Sequence, residues 1–229
     1  MADANIELKL KDVRLSFPHL FRPQENTNDN GDKSYSFGCT LLLDKVRQAD
    51  QIDALKAAVR QAIKAKWPGV KKHISPDKLC LRDGEYEDEE TGEKEGRYDG
   101  YAGCMFLSCR RPVKLRDGQK PSDLKSPIQV IGPRKGKDGK FPRLSEDDVY
   151  AGCYVNAIVR IYAYDGSKGN NPDRVNATIE VVQFKRHGEA FGASSVDADN
   201  AMDEDEDAEE VGGGDNGSID EPAGDDPFA

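Results

Sequence analysis

The chain has 229 residues, with 33 Lys or Arg against 43 Asp or Glu and a formal net charge of −10 at pH 7. No run approaches the roughly 18 apolar residues of a membrane span, and the opening MADANIELKLKD lacks a signal-peptide pattern, so neither a membrane-spanning nor a secreted protein is expected. The five cysteines form no C-x-x-C pair and the three histidines lie apart from them, which argues against a metal site and for buried free thiols.

Ile6 to Ser16 alternates as a strand, with Ile6, Leu8 and Leu10 on one face, before the apolar parity changes to Val13, Leu15 and Phe17. A period of two cannot slip by one residue without a bulge, which places one near Lys11-Asp12. Residues 17–34, broken by Pro18, Pro23 and Gly31, read as a loop that carries Phe17, His19, Phe21 and Arg22 at its start. Tyr35 to Leu43 reads as a second strand. Ile52, Leu55, Val59, Ile63 and Trp67 then recur at helical spacing. Either Asp44 or Asp50 is a candidate cap for that helix, and Pro68-Gly69 stops it. Lys56, Arg60 and Lys64 line a second helical face, better read as solvated than as a phosphate ridge.

Residues 70–100 read as an irregular excursion with an acidic loop, GEYEDEETGEKEGRYDG, whose charge repels phosphate. Tyr101 to Cys109 is the next strand, running into a basic cluster of Arg110, Arg111 and Lys114. A short apolar run, Ile128 to Ile131, leads to the most basic loop of the chain. Arg134, Lys135, Lys137, Lys140 and Arg143 surround Phe141 there within eleven residues, a composition that suits single-stranded nucleic acid or, equally, a solvated hairpin.

Tyr154 to Tyr164 has the strongest strand pattern. Val155, Ala157, Val159, Ile161 and Ala163 make one apolar face, and Tyr154, Arg160, Tyr162 and Tyr164 stand on the other. Three tyrosines and an arginine on one face suit a base-stacking platform, or a cover for a helix or for a second copy in a homodimer; the residues leave both open. Val175 to Val181 forms a last strand. Five to seven strands with one helix and long loops predict a mainly β protein built on an OB-like five-stranded barrel over residues 1–196.

Residues 197–229 hold fourteen acids and no Lys or Arg, and they end Asp225-Asp226-Pro227-Phe228-Ala229. Such a segment cannot bury enough surface to offset chain entropy, so a disordered acidic tail is expected. Removing its 14 acids from the total of 43 leaves 29 against 33 bases, and residues 1–196 then carry about +4 on this simple count. A basic body with an acidic arm is compatible with phosphate binding, the arm acting as an internal competitor.

Four stretches carry a resemblance. Asp148-Val149-Tyr150-Ala151-Gly152-Cys153-Tyr154-Val155-Asn156-Ala157, then Ile161-Tyr162-Ala163-Tyr164-Asp165, then Asn176-Ala177 through Val182-Gln183-Phe184 resemble a family of phage-encoded single-stranded-DNA-binding proteins with an OB fold. Val13-Arg14-Leu15-Ser16-Phe17-Pro18-His19-Leu20-Phe21 matches that family's opening. The resemblance implies a non-enzymatic protein without a cofactor. It would bind single-stranded DNA in phage replication, recombination or repair, in the cytoplasm of the infected host cell. The tail is similar to the acidic C-termini of bacterial and phage single-stranded-DNA-binding proteins, which implies that Asp225, Asp226, Pro227 and Phe228 recruit replication or recombination proteins. In the bacterial pattern Phe is terminal, whereas here Ala229 follows it. The competing reading is a metal-dependent nuclease or other phosphotransfer enzyme. Its acids would have to come from the Glu85–Glu95 loop or the tail, and no phosphate-loop, H-E-x-x-H or nucleophile-elbow motif supports it.

Overall fold

The first strand, β1 (Ile6–Thr27), bends twice, and both bends decide what the barrel can carry. In the computed structural model, which describes residues 5–27, 31, 33–87, 94–167 and 171–192, the first bend is the bulge expected at Lys11-Asp12. There β1 slips by one residue against its neighbour β8 (Tyr154–Tyr164), and Asp12 has φ +56°. The slip lets Leu10 and Val13 both face the core. The second bend lies at Phe17-Pro18, where β1 slips against β2 (Lys33–Asp44) and Phe17 has φ +46°.

The sequence reading of 17–34 as a loop is corrected here: β1 continues to Thr27, pairing Gln24 to Thr27 with Ser36 to Lys33. Pro18 and Pro23 are tolerated because both fall in the two shifted stretches, where the ladder asks for no amide donor.

α1 (Ala49–Lys66) buries Ile52, Leu55, Ala58, Val59 and Ala62 and packs mainly on β8. Neither candidate aspartate is its N-cap. That position is Gln48, whose amide instead donates to the carbonyls of Lys11 and Asp12 at 3.0 and 2.8 Å. Gln51 accepts from the amide of Lys11 at 2.7 Å, so the start of the helix satisfies the backbone that the first bulge leaves unpaired. Asp44 caps the turn before the helix, accepting from the amides of Val46 and Arg47.

The excursion after α1 contains β3 (Leu81–Asp83) and a hairpin of β4 (Glu85–Glu87) and β5 (Lys94–Gly96). β6 (Cys104–Val113) pairs with β2 along its whole length, β7 (Gln129–Ile131) is a short edge, and β9 (Arg174–Arg186) pairs with β8. β6 meets β9 in parallel at Cys109 and Ala177, which closes a ring of five strands in the order β1–β2–β6–β9–β8. This is the mainly β, OB-like barrel with one helix.

The interior is filled by residues such as Leu15, Phe37, Leu41, Leu43, Leu107, Val159, Ile161 and Ile179, all essentially without solvent exposure. Cys39, Cys80, Cys109 and Cys153 are buried free thiols, and burial pushes Cys80 up to about 12. The acidic tail, with Asp225, Asp226, Pro227 and Phe228, lies outside the described residues.

Candidate nucleic-acid interface

On the outside of β2 and β6 three hollows of about 230, 620 and 690 Å³ run together, sharing Ser108, with Arg110 lining all three. Their floor is made of small residues, Ser36, Gly38 and Thr40 from β2 and Ser108 from β6. Gly38 is required: a Cβ there would collide with the backbone carbonyl of Cys109 on the paired strand.

Two exposed rings stand at one wall. Phe17, 47% exposed, is projected by the positive φ of the second bulge, a conformation uncommon for a bulky residue and one that needs support from its surroundings. Tyr98, 61% exposed, meets it edge to face with ring centroids 5.3 Å apart. The contact chain continues inward from Tyr98 to Tyr101 at 5.2 Å and from Tyr101 to Phe106 at 5.5 Å. Tyr101 and Phe106 are buried with Leu42 in a small cluster outside the barrel, so the exposed rings rest on a packed base. A flat apolar molecule finds preset surfaces here at little cost in side-chain freedom.

Cations border the same groove. Arg82, Arg97 and Arg110 line the hollow beside the rings, and Lys114 and Arg174 line the one toward the end of β6. The guanidinium of Arg82 lies 4.7 Å from the Phe106 ring centroid, and its Nε is buried without a hydrogen-bond partner among the described residues. Asp77 and Asp83 share the groove, and each pairs with a lysine, Lys78 and Lys45.

His19 lines one of the hollows together with Phe17 and Arg110, and burial, then the charge of Arg110, holds its imidazole below the ordinary histidine value. In the free protein it is therefore neutral at pH 7. An anion placed beside it raises its proton affinity, so anion binding should tighten as pH falls below about 6.5. The same depressed value means that the free protein loses stability over that pH range, because the unfolded chain takes the proton more readily. Oligonucleotide titrations at pH 7.5 and 5.5 should show about a two- to tenfold gain at the lower pH, reduced in His19→Gln.

A family model described as Enterobacter phage Enc34, ssDNA-binding protein matches residues 6–211. The chain belongs to this Enc34-type single-stranded-DNA-binding protein family. Putative protein p50 of Acyrthosiphon pisum secondary endosymbiont phage 1 is 32% identical over 201 residues, covering 83% of this chain and 89% of that one. Among solved structures, the single-stranded DNA-binding protein from bacteriophage Enc34 in complex with ssDNA has a TM-score of 0.56 at 21% identity, covering 81% of this chain and 89% of that one. A second structure of the single-stranded DNA-binding protein from bacteriophage Enc34 has a TM-score of 0.55 at 20% identity, covering 86% of this chain and 90% of that one. Both share the fold.

For this family member the sequence-predicted residues separate into three groups. Phe17, Arg110, Lys114 and Tyr162 line the groove, and Tyr164 adjoins it through Arg174, whose guanidinium lies 5.5 Å from its ring.

A second group is committed elsewhere. Arg111 and Arg160 both bind Glu180, at 2.6 and 3.6 Å, and Arg160 also binds Glu7 at 3.2 Å, a chain of charges joining β6, β9, β8 and β1. Arg14 donates to the carbonyls of Gly152 and Glu189 and lies 4.1 Å from the Phe191 ring. Tyr154 lies under Arg186, at 3.3 Å, and that arginine binds Asp12. Burial opposes ionisation of Asp12, but hydrogen bonds from Lys185 and Arg186 outweigh it and hold the carboxyl below its ordinary value. Phe21 packs on the core, and Arg22 pairs with Glu146 at 2.9 Å.

The third group is the basic loop Arg134, Lys135, Lys137, Lys140, Phe141 and Arg143. It follows β7, and Phe141 shares a separate hollow with Lys9, Ile158 and Val181. Tyr98, Arg97, Arg82, His19 and Arg174 were not among the sequence candidates. Only the aromatic-plus-arginine pair Arg97-Tyr98 within the acidic stretch was a usable signal.

Proposed function

We propose that the chain binds single-stranded DNA without regard to sequence along the groove over β2 and β6, serving phage replication, recombination or repair in the cytoplasm of the infected host cell. The observation that carries the reading is the anchored pair Phe17 and Tyr98 beside a small polar floor edged by Arg82, Arg97 and Arg110. Aromatic faces accept any base, and the arginines neutralise phosphates, releasing counterions. The groove binds and orders the strand; no bond is made or broken. Family membership supports the same reading. The sequence Asp225-Asp226-Pro227-Phe228 further supports recruitment of replication or recombination proteins by the tail.

Titration of oligo-dT and of a duplex at several salt concentrations tests this. Oligo-dT should bind more tightly than duplex, with affinity falling steeply as salt rises. Arg110→Ala should flatten the salt slope by about 0.7, the share of one phosphate contact on a single strand, and weaken binding several-fold. Arg160→Ala, whose charge is already used by Glu7 and Glu180, should bind within about twofold of the parent. Absence of binding at low salt, or equal affinity for duplex, contradicts the reading.

A further inference from the structure

The arc of the barrel made by β1, β8, β9 and β7 carries a second surface, built in rows across the strands. One row is ionic: Glu7, Arg160 and Glu180 satisfy one another. Another is a chain of amides. The backbone N–H of Asp12 donates to Asn156 at 3.1 Å, Asn156 donates to Gln183 at 3.1 Å, and Gln183 donates to the carbonyls of Gly132 and Pro133.

Between them the register sets Lys9 beside Ile158 and Ile158 beside Val181, a strip whose two aliphatic members are only half-buried. Ile131 and Phe141 extend the strip, and together they form a hollow of about 270 Å³. Lys9 and Lys11 stand on its β1 side, exposed and without an ion pair among the described residues, and no carboxylate lines it. Lys135 lies on the far side, its ammonium 5.5 Å from the Phe141 ring centroid.

The flanking rows use up their own polar groups, so the chemistry left for a ligand is an apolar floor between lysines. A nucleic-acid strand is poorly served, because Phe141 is half-buried with a lysine over its ring and no other ring lines the hollow. An acidic peptide is well served: its carboxylates meet Lys9, Lys11 and Lys135 while one bulky apolar side chain covers Ile158 and Val181. We propose that this trench docks an acidic segment of a partner protein that presents a bulky apolar side chain. The site is separate from the groove over β2 and β6 and does not depend on the reading of that groove.

The test is fluorescence anisotropy on the full chain with a labelled probe peptide of aspartates around one central phenylalanine, and with its all-aspartate counterpart. The phenylalanine peptide should bind at least tenfold more tightly than the counterpart. Lys9→Glu/Lys11→Glu and, separately, Phe141→Ala should each weaken it at least fivefold. Both variants should melt like the parent and bind oligo-dT within about twofold of it. Failure of the phenylalanine peptide to bind, equal binding by parent and variants, or indifference to the phenylalanine overturns the proposal. So does a loss of oligo-dT affinity in the trench variants, which would make the surface a nucleic-acid site.

Discussion

Tyr98→Ala should weaken oligo-dT binding about ten- to hundredfold while leaving thermal stability nearly unchanged. Stacking a base on an aromatic ring contributes about 1–3 kcal/mol, and each 1.4 kcal/mol is tenfold in affinity. Tyr98 is 61% exposed and its ring meets Phe17 and Tyr101 edge to face, so its removal opens no core cavity. Phe17→Ala should show a comparable loss. The double variant should lose less than the sum, because the rings are in contact and each holds the other in place. Both losses should persist at high salt, unlike that of Arg110→Ala, since a stacked ring displaces no counterions. Anisotropy titrations at two salt concentrations separate the two kinds of contact.

Phe37→Ala should lower stability by about 3–5 kcal/mol, the range for removing a large buried ring and leaving a cavity. Phe37 is among the largest side chains with no solvent exposure and sits on the core face of β2, directly behind the groove floor. For a body of this size each kcal/mol corresponds to about 2–4 °C in Tm, so the melt should shift down by roughly 6–20 °C. Below the transition oligo-dT affinity should stay close to that of the parent, because Phe37 touches none of the groove hollows. Scanning calorimetry with and without oligo-dT measures both effects.

The parts of the fold that follow a period were legible. β8 runs over the predicted residues because Val155 to Ala163 alternate without interruption, and the Lys11-Asp12 bulge was visible as a change of parity. The continuation of β1 was hidden, because Pro18 and Pro23 are loop signals unless the ladder happens to shift where they fall.

The groove was harder to read because segments scattered along the chain supply it: the second bulge, β2, Arg82 of β3, β6, the turn at Arg97-Tyr98, Tyr162 of β8 and Arg174 of β9. Arg110 and Arg111 show the difficulty. They are adjacent and chemically equal, but a period of two sends one to the groove and the other to Glu180, 69 residues away on β9. Composition left the Arg134–Arg143 loop open between single-stranded nucleic acid and a solvated hairpin, and pairing of β7 with β9 sets it on a different arc of the barrel from the groove.

On the function proposed for the groove, single-stranded DNA runs over β2 and β6 against Phe17 and Tyr98. Photo-cross-linking of the full chain to oligo-dT carrying bromodeoxyuridine, followed by mass spectrometry of the peptides, reads this directly. Adducts should map to the peptides holding Phe17 and Tyr98 and should fall sharply in Tyr98→Ala. Adducts confined to Phe141 and its loop, with Phe17 and Tyr98 unmodified, would contradict it.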